Sequence, residues 1–365
     1  MPSGDHRSML EMIASVAMSV FLARSDQAIR RFRGVCSFAP DSDIFGHQTR
    51  RLCVRAVVTK PGAPGSLAIA EVPAPSPDSD EALVSVKAFS LNRGEIRRAG
   101  TQAAGTMIGW DVVGIVEAPA KNGSGPQKGA RVVGFSRRVR GWAERIALPT
   151  TDIAEIPDGV TDAAAATLPV AGLTALYALE RCERLLASRV LVTGATGGVG
   201  YFACQLARLM GAHVTALLRR QGQEAVAHSL GVDAIIVTSD GTGVDAVPKF
   251  RAIVDGVGGP ALGRLLTRLD DDGRAILYGV SAGQETTLAI RDLMLTGNGR
   301  AEGFYLTRDI QIERASKGLS RLLKLLADGR LRTLVSIDAD WSTVGSTAAR
   351  LMARDFAGKA VLRII

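Results

Sequence analysis

The chain is 365 residues long, 47% hydrophobic and 22% charged, which is enough apolar material to bury a full core and to divide into two domains. Four cysteines, Cys36, Cys53, Cys182 and Cys204, stand without C-x-x-C or C-x-x-H pairing, which argues against a disulfide framework and a structural zinc and fits a reducing cytoplasm. The net charge of +8 is spread along the chain rather than gathered in a tract, so it implies general attraction to anions and does not indicate nucleic-acid binding.

Residues 1 to 52 differ from the rest. Met9 to Leu22 is apolar with Glu11 inside it, and Arg24, Arg30, Arg31 and Arg33 follow. The run is too short for a membrane span, and Arg24, Ser25 and Asp26 after Ala23 give no clear small-residue cleavage pattern. Two readings stay open: a flexible leader, and an amphipathic arm resting on a partner or a membrane surface. From Arg55 short strands follow one another between Pro and Gly turns, through RAVVTK, LAIAEVPAP, EALVSVKAFSLN, DVVGIVEAPA, ARVVGF and WAERIALP, predicting an all-β module of the partly open barrel type. At Ala154 the texture becomes Ala-rich with helical spacing and reads as a connector. Beyond it, strands are predicted at Arg189 to Thr193, His213 to Leu218, Asp233 to Val237, Arg251 to Asp255, Arg274 to Tyr278 and Gly303 to Leu306. Helices near Gly198, Gly222 and Pro260 interleave with them, so this half is α/β, a doubly wound parallel sheet. A short helix within Leu288 to Leu295, a helix from Asp309 through Leu326 and a strand from Lys359 to Ile365 complete the chain.

The most specific local signal is Arg189 to Gly200, RVLVTGATGGVG. A β-branched apolar run breaks into small residues, with Gly194, Ala195, Thr196, Gly197, Gly198, Val199 and Gly200 in the turn and a helix behind it. Such a turn lets the backbone approach a pyrophosphate and presents the N–H groups of a helix N-terminus to it. The next strand decides the cofactor. In an NAD site it ends on an acidic residue that takes the ribose hydroxyls, whereas here it ends Leu217, Leu218, Arg219, Arg220. Two guanidiniums in that place favour the 2′-phosphate of NADP(H); the other reading is a solvated basic strand end.

Taken in order, SLNRGEIRRAG, GWDVVGIVE, GARVVGF, GWAERIALP, AATLPVAGLTALYAL, VLVTGATGGVG, DGVGGPALGRLLTRLDDDGRAILYG and GKAVLRI resemble the medium-chain dehydrogenase/reductase superfamily, in its zinc-independent quinone-oxidoreductase-like branch, over Arg55 to Ile365. The resemblance implies a GroES-like barrel catalytic domain at residues 53 to 170, completed by residues 307 to 365, with an NADP-binding Rossmann domain at residues 171 to 306 inserted between them. It places the active site in the cleft and implies a homodimer joined through edge strands of the nucleotide domains. The chain also departs from the pattern. Zinc-dependent members carry a Cys where this chain has Phe89 to Asn92, and a Gly-His-Glu where it has Gly109, Trp110 and Asp111. Trp110 cannot bind zinc and the histidines lie elsewhere, so no metal is expected.

On the same resemblance, Asn92 bonds the nicotinamide ribose or the substrate oxygen, or else stabilises a turn. Trp110 walls a flat substrate or packs in the core, and Tyr177 donates a proton or packs. Thr174 matches a position beside the nicotinamide, or bonds its own backbone. Gly256, Val257 and Gly279 face the cofactor, Gly303 and Phe304 receive the carboxamide, and Lys359 reaches a ribose or phosphate or is solvated. The implied activity is metal-free hydride transfer from NADPH to a small quinone or α,β-unsaturated carbonyl. Two alternatives remain at this point: an enoyl-thioester reductase of the same fold, and an NADP-binding protein with an RNA-binding or structural role.

Overall fold

Two kinds of sequence texture produce the two larger sheets. The computed structural model describes residues 53–365; the leader or amphipathic arm expected within residues 1–52 lies outside the described residues. Strands β1 (Cys53–Thr59) and β2 (Leu67–Pro73) form an antiparallel ribbon. There follow β3 (Glu81–Ser90), helix α1 (Arg93–Ala99), β4 (Asp111–Ala118), β5 (Arg131–Phe135), β6 (Arg145–Pro149) and β7 (Ile153–Glu155). The Ala-rich connector folds as α2 (Asp162–Ala166), capped by the Thr161 hydroxyl, and α3 (Leu173–Cys182). A wide π-type turn at Leu168–Gly172 separates them.

The alternating part contains β8 (Arg189–Thr193), α4 (Gly198–Leu209), β9 (His213–Leu218), α5 (Glu224–Ser229), β10 (Ala234–Val237), β11 (Phe250–Asp255), α6 (Gly259–Leu266), β12 (Leu269–Leu277), α7 (Ile290–Met294) and β13 (Arg300–Gly303). Its six strands run in the order β10-β9-β8-β11-β12-β13, all parallel. Continuous apolar runs such as Val190–Thr193 suit that arrangement, because helices cover both faces. The order reverses between β8 and β11, and the crevice beyond the carboxyl ends of those two strands is where a ligand fits a doubly wound sheet.

The chain then returns through α8 (Leu306–Asp309), α9 (Ala315–Ala327), β14 (Val335–Asp340), α10 (Val344–Ala353) and β15 (Lys359–Arg363). The last two strands join the first part: the seven-stranded sheet runs β14-β15-β3-β4-β5-β7, with β6 also on β3. Three differences from the sequence expectation have physical causes. The sixth strand lies at Arg300–Gly303, and Leu306 opens a helix instead, because Phe304 and Leu306 are buried and a short apolar run fits either element. The fifth begins at Leu269, through an irregular register around Asp270–Asp272. Strand β14 and helix α10 carry polar faces too weakly patterned to announce themselves. Among the described residues no helix is long and apolar enough to cross a membrane.

Trp142 anchors the core between the β1–β2 ribbon, α1 and α10. It is fully buried and stacks on Phe89 with ring centroids 4.9 Å apart, among Leu91, Ile96, Trp341 and Val344. Gly109, at φ +115°, passes so close that a Cβ there would lie 2.3 Å from the Trp142 ring. Trp142→Ala is expected to cost about 3–5 kcal/mol, because the large cavity cannot fully collapse, and the urea midpoint of the variant checks it.

Candidate active site

The glycine turn forms one wall of a cleft of about 480 Å³. Gly194 sits at φ +59°, where a side chain would be strained, and a Cβ on Gly200 would lie 2.3 Å from the Gly194 carbonyl. The first backbone donor of α4 to find an intrahelical acceptor is Tyr201, on Gly197 O at 2.8 Å. The N–H groups of Gly198, Val199 and Gly200 therefore remain open at the cleft, a ready site for an anion. Behind the turn, Thr193 Oγ1 donates to Asp255 Oδ1 at 2.6 Å and Asp255 Oδ2 accepts from Gly258 N at 2.8 Å. Asp255 thus fixes the second loop, and burial pushes its carboxyl up.

The opposite wall is built on a buried charge. Lys359, 4% exposed, donates from Nζ to Leu91 O at 2.9 Å, to Asp111 Oδ2 at 3.2 Å and to Asn92 Oδ1. Asp111 is wholly buried and also accepts from Ser90 Oγ, from Asn92 Nδ2 at 2.8 Å and from Val170 N at 2.9 Å. Glu95, equally buried, accepts from Asn92 N at 2.7 Å, from Asn92 Nδ2 at 3.1 Å and from Trp110 N at 2.9 Å. Burial, with the Asp111 charge beside it, pushes the Glu95 carboxyl well above the ordinary carboxylate range, and Lys359 draws it part of the way back. The aliphatic stem of Lys359 lies against the glycine turn: a Cβ on Gly198 would be 2.8 Å from its Cδ. Next to it, Gly358 N donates to Thr196 O at 2.9 Å. One lysine therefore joins the nucleotide turn to the barrel.

The end of the cleft beyond β9 is basic. Arg93, Arg97, Arg219, Arg220 and Arg354 line it. Among the described residues none of the five forms an ion pair. Burial and the positive charge of Arg354 hold the guanidiniums of Arg93 and Arg219 below their ordinary range. Arg354 adopts φ +64°, unusual for a side-chain-bearing residue, and is held there: its Nη2 donates to Ser281 O at 2.6 Å, and Arg220 Nη2 donates to its carbonyl at 2.9 Å.

Most of the residues expected from the sequence meet at this cleft: Asn92, Trp110, Thr174, Gly194, Thr196, Gly197, Gly198, Val199, Gly200, Arg219, Arg220, Gly256, Val257, Gly279, Phe304 and Lys359. The roles of several change. Both hydrogens of the Asn92 amide are engaged by Asp111 and Glu95, so none is left to donate to a substrate oxygen. Lys359 is neither solvated nor aimed at a phosphate, since its three hydrogens serve Leu91, Asn92 and Asp111. Tyr177 does not line the cleft; its hydroxyl donates to the carbonyls of Glu313 and Arg314 across to the start of α9, and burial raises its pKa. Ala195 is buried behind the turn, and Gly303 lies one residue short of the lining. Thr174 is 5% exposed, lines the cleft and has no protein partner for its hydroxyl among the described residues. Arg93, Arg354, Gln223 and Tyr305 are lining residues that the sequence does not single out. Arg354 in particular comes from the end of α10, 134 residues from Arg220, with no local motif to mark it.

Comparison with known proteins agrees with this architecture. The family model for the alcohol dehydrogenase GroES-like domain matches residues 78–158, and that for zinc-binding dehydrogenase matches residues 198–324. A chloroplastic quinone-oxidoreductase homolog of Spinacia oleracea is 30% identical over 59% of this chain and 71% of its own length. The chain belongs to the quinone-oxidoreductase-like branch of the medium-chain dehydrogenase/reductase superfamily. A component of the phenolphthiocerol/phthiocerol polyketide synthase of Mycobacterium tuberculosis is 31% identical over 86% of this chain, and the chain spans 15% of that protein's length. A mycobacterial structure complexed with NADPH superposes with a TM-score of 0.76, at 24% identity, over 85% of this chain and all of the other.

Within the superfamily, this dehydrogenase/reductase lacks the ligand set that the name of the second family model suggests. Among the described residues no three His, Cys, Asp or Glu side chains come together, and both oxygens of Asp111 are already committed to Lys359, Ser90, Asn92 and Val170. The residues present therefore do not fit a zinc ion. Asp111→Asn would leave the Lys359 ammonium buried without its counter-charge and is expected to lower stability by about 3–5 kcal/mol, checked by chemical denaturation.

Proposed function

We propose that this member of the superfamily is an NADPH-dependent reductase of quinones or α,β-unsaturated carbonyls that works without a metal. The observation that carries the cofactor half is the unpaired arginine group at the end of β9. Guanidiniums held together against their own repulsion suit a ligand bearing two negative charges, and the 2′-phosphate of an adenine ribose is such a group in such a place. The turn from Gly194 to Gly200 and the open N–H groups of α4 would hold the pyrophosphate. Gly256 and Gly279 let the two loops after β11 and β12 pass closely, a Cβ on Gly256 falling 2.4 Å from the Tyr278 ring and one on Gly279 2.8 Å from the Gly256 carbonyl, beside the place where the nicotinamide would lie.

A bound nicotinamide supplies the hydride. What the chain supplies is placement, dryness and hydrogen bonds. The apolar walls from Trp110, Val170, Val257, Phe304 and Leu306 exclude water from a flat substrate. The Thr174 hydroxyl is a free donor in that space, able to bond the oxygen on which charge develops. Conjugated carbonyls and quinones spread that charge over several atoms, so a hydroxyl is sufficient help for them and not for a simple ketone. Arg219→Ala is expected to raise KM for NADPH by about tenfold or more, from the loss of a charge-assisted contact, with much less effect on KM for NADH. Initial rates with a small neutral quinone or enone check it, and equal effects on both cofactors would remove the 2′-phosphate assignment.

The same reading includes a homodimer. Strand β13 is the outer strand of the six-stranded sheet, and beside it Ile290, Met294 and Leu295 are 65%, 73% and 68% exposed, apolar area that an isolated protomer leaves in water. Replacing Met294 and Leu295 together by Glu is expected to convert a dimer to a monomer in light scattering at micromolar concentration.

A further inference from the structure

A second cavity, of about 470 Å³, opens from the substrate side of the cleft. It shares Trp110, Tyr305 and Thr307 with the cleft and none of the glycine turn, Arg219, Arg220 or Arg354. Its other walls are Arg98, Arg137, Arg138, Val139, Arg308 and Gln311, so four guanidiniums face one small space and no carboxylate lines it. Two of them are already neutralised from behind. Arg137 forms a two-point pair with the buried Asp152 carboxylate, and Arg138 lies 3.1 Å from Glu81 and 3.4 Å from Asp78. The other two differ. Arg98, in the last turn of α1, and Arg308, on α8, form no ion pair among the described residues. Arg98 comes from the helix that follows β3 and Arg308 from the short helix that follows β13.

We infer that Arg98 and Arg308 form an anion subsite for the far end of the substrate, and that the conjugated carbonyls this enzyme prefers carry a phosphate on a tail long enough to reach it. The inference rests on the reductase reading above. The lining chemistry divides the substrate accordingly. A flat, apolar reacting end suits the walls around Trp110 and Phe304, where an anion would lose its hydration without a partner. A phosphate suits the second cavity, where two unpaired guanidiniums bind it and the hydroxyl of Thr307 and the amide of Gln311 line the same space. The other basic end of the cleft is not open to it, because the cofactor takes that end. An acyl group joined through a thioester to a phosphopantetheine arm has this form, whether the arm belongs to coenzyme A or to a carrier protein.

Both arginines are exposed and neither contributes to the core, so the double variant Arg98→Ala/Arg308→Ala is expected to fold as the parent does. The test compares three crotonyl thioesters, of pantetheine, of 4′-phosphopantetheine and of coenzyme A, with a small neutral enone as internal standard. In the parent protein the phosphorylated arm is expected to raise kcat/KM by about tenfold over the unphosphorylated one, the scale of one charge-assisted contact. In the double variant that ratio falls to near one while turnover of the neutral enone is unchanged. Equal rates for the pantetheine and phosphopantetheine thioesters in the parent, with the enone still turned over, would overturn the subsite and leave the reductase reading intact. No turnover of enone, quinone or thioester would instead overturn the reductase reading. If coenzyme A and phosphopantetheine behave alike, the phosphate next to the pantetheine is the recognised group; a further gain with coenzyme A assigns the cavity to its additional phosphates.

Discussion

The contact between Lys359 and Asp111 underlies the rest of the site. Lys359, at 4% exposure, has all its ammonium hydrogens taken and a carboxylate beside it, by groups from β4 and the loop after β3. The same ammonium fixes Asn92, Asn92 orients Glu95, and Glu95 holds the backbone of Trp110. In the other direction the lysine stem fills the space beside Gly198. With the bond from Gly358 N to Thr196 O and the Arg220–Arg354–Ser281 contacts, this side chain ties one wall of the cleft to the other. The energy of such a pair is modest once desolvation is counted, but its directionality is high, and directionality is what a hydride-transfer cleft requires.

The fold is largely legible in the sequence because its signals are local. The run Val190–Thr193 followed by small residues can be little else than a strand entering a nucleotide turn, and the alternation of strands and helices after it determines the sheet. The site is legible only where chemistry is written into consecutive residues, as at Arg219 and Arg220. Arg354 escapes because its importance depends on a left-handed backbone at the end of a helix and on a partner 134 residues away. Tyr177 misleads for a related reason: three residues beyond Thr174 on a helix the side chain has moved about 4.5 Å along the axis and part-way around it, enough to leave the cleft for α9. Lys359 reads as a ligand-reaching or solvated lysine because sequence alone gives no sign of burial, and its partners lie 248 to 268 residues earlier.

Charge is distributed across the molecule with a division of labour that the net value of +8 conceals. Arg137 and Arg363 are tied to carboxylates and serve the scaffold. Among the arginines that form no ion pair, two groups line the cleft: Arg93, Arg97, Arg219, Arg220 and Arg354 at one end, Arg98 and Arg308 at the other. Between them the walls are mainly apolar, so an anionic ligand would be attracted to the ends and its uncharged part left in the middle.

Strand β15 lies beside β3 although the entire six-stranded sheet separates them in the chain. The polypeptide thus passes from barrel to nucleotide sheet and back, giving two covalent crossings rather than one. A single linker would leave one body free to tumble on the other about any direction. Two crossings tie the parts at two places, and one buried core runs across both, from Ala88, Val133 and Phe135 to Val190, Val192 and Phe202, so the shape of the cleft is set by packing as well as by the chain path.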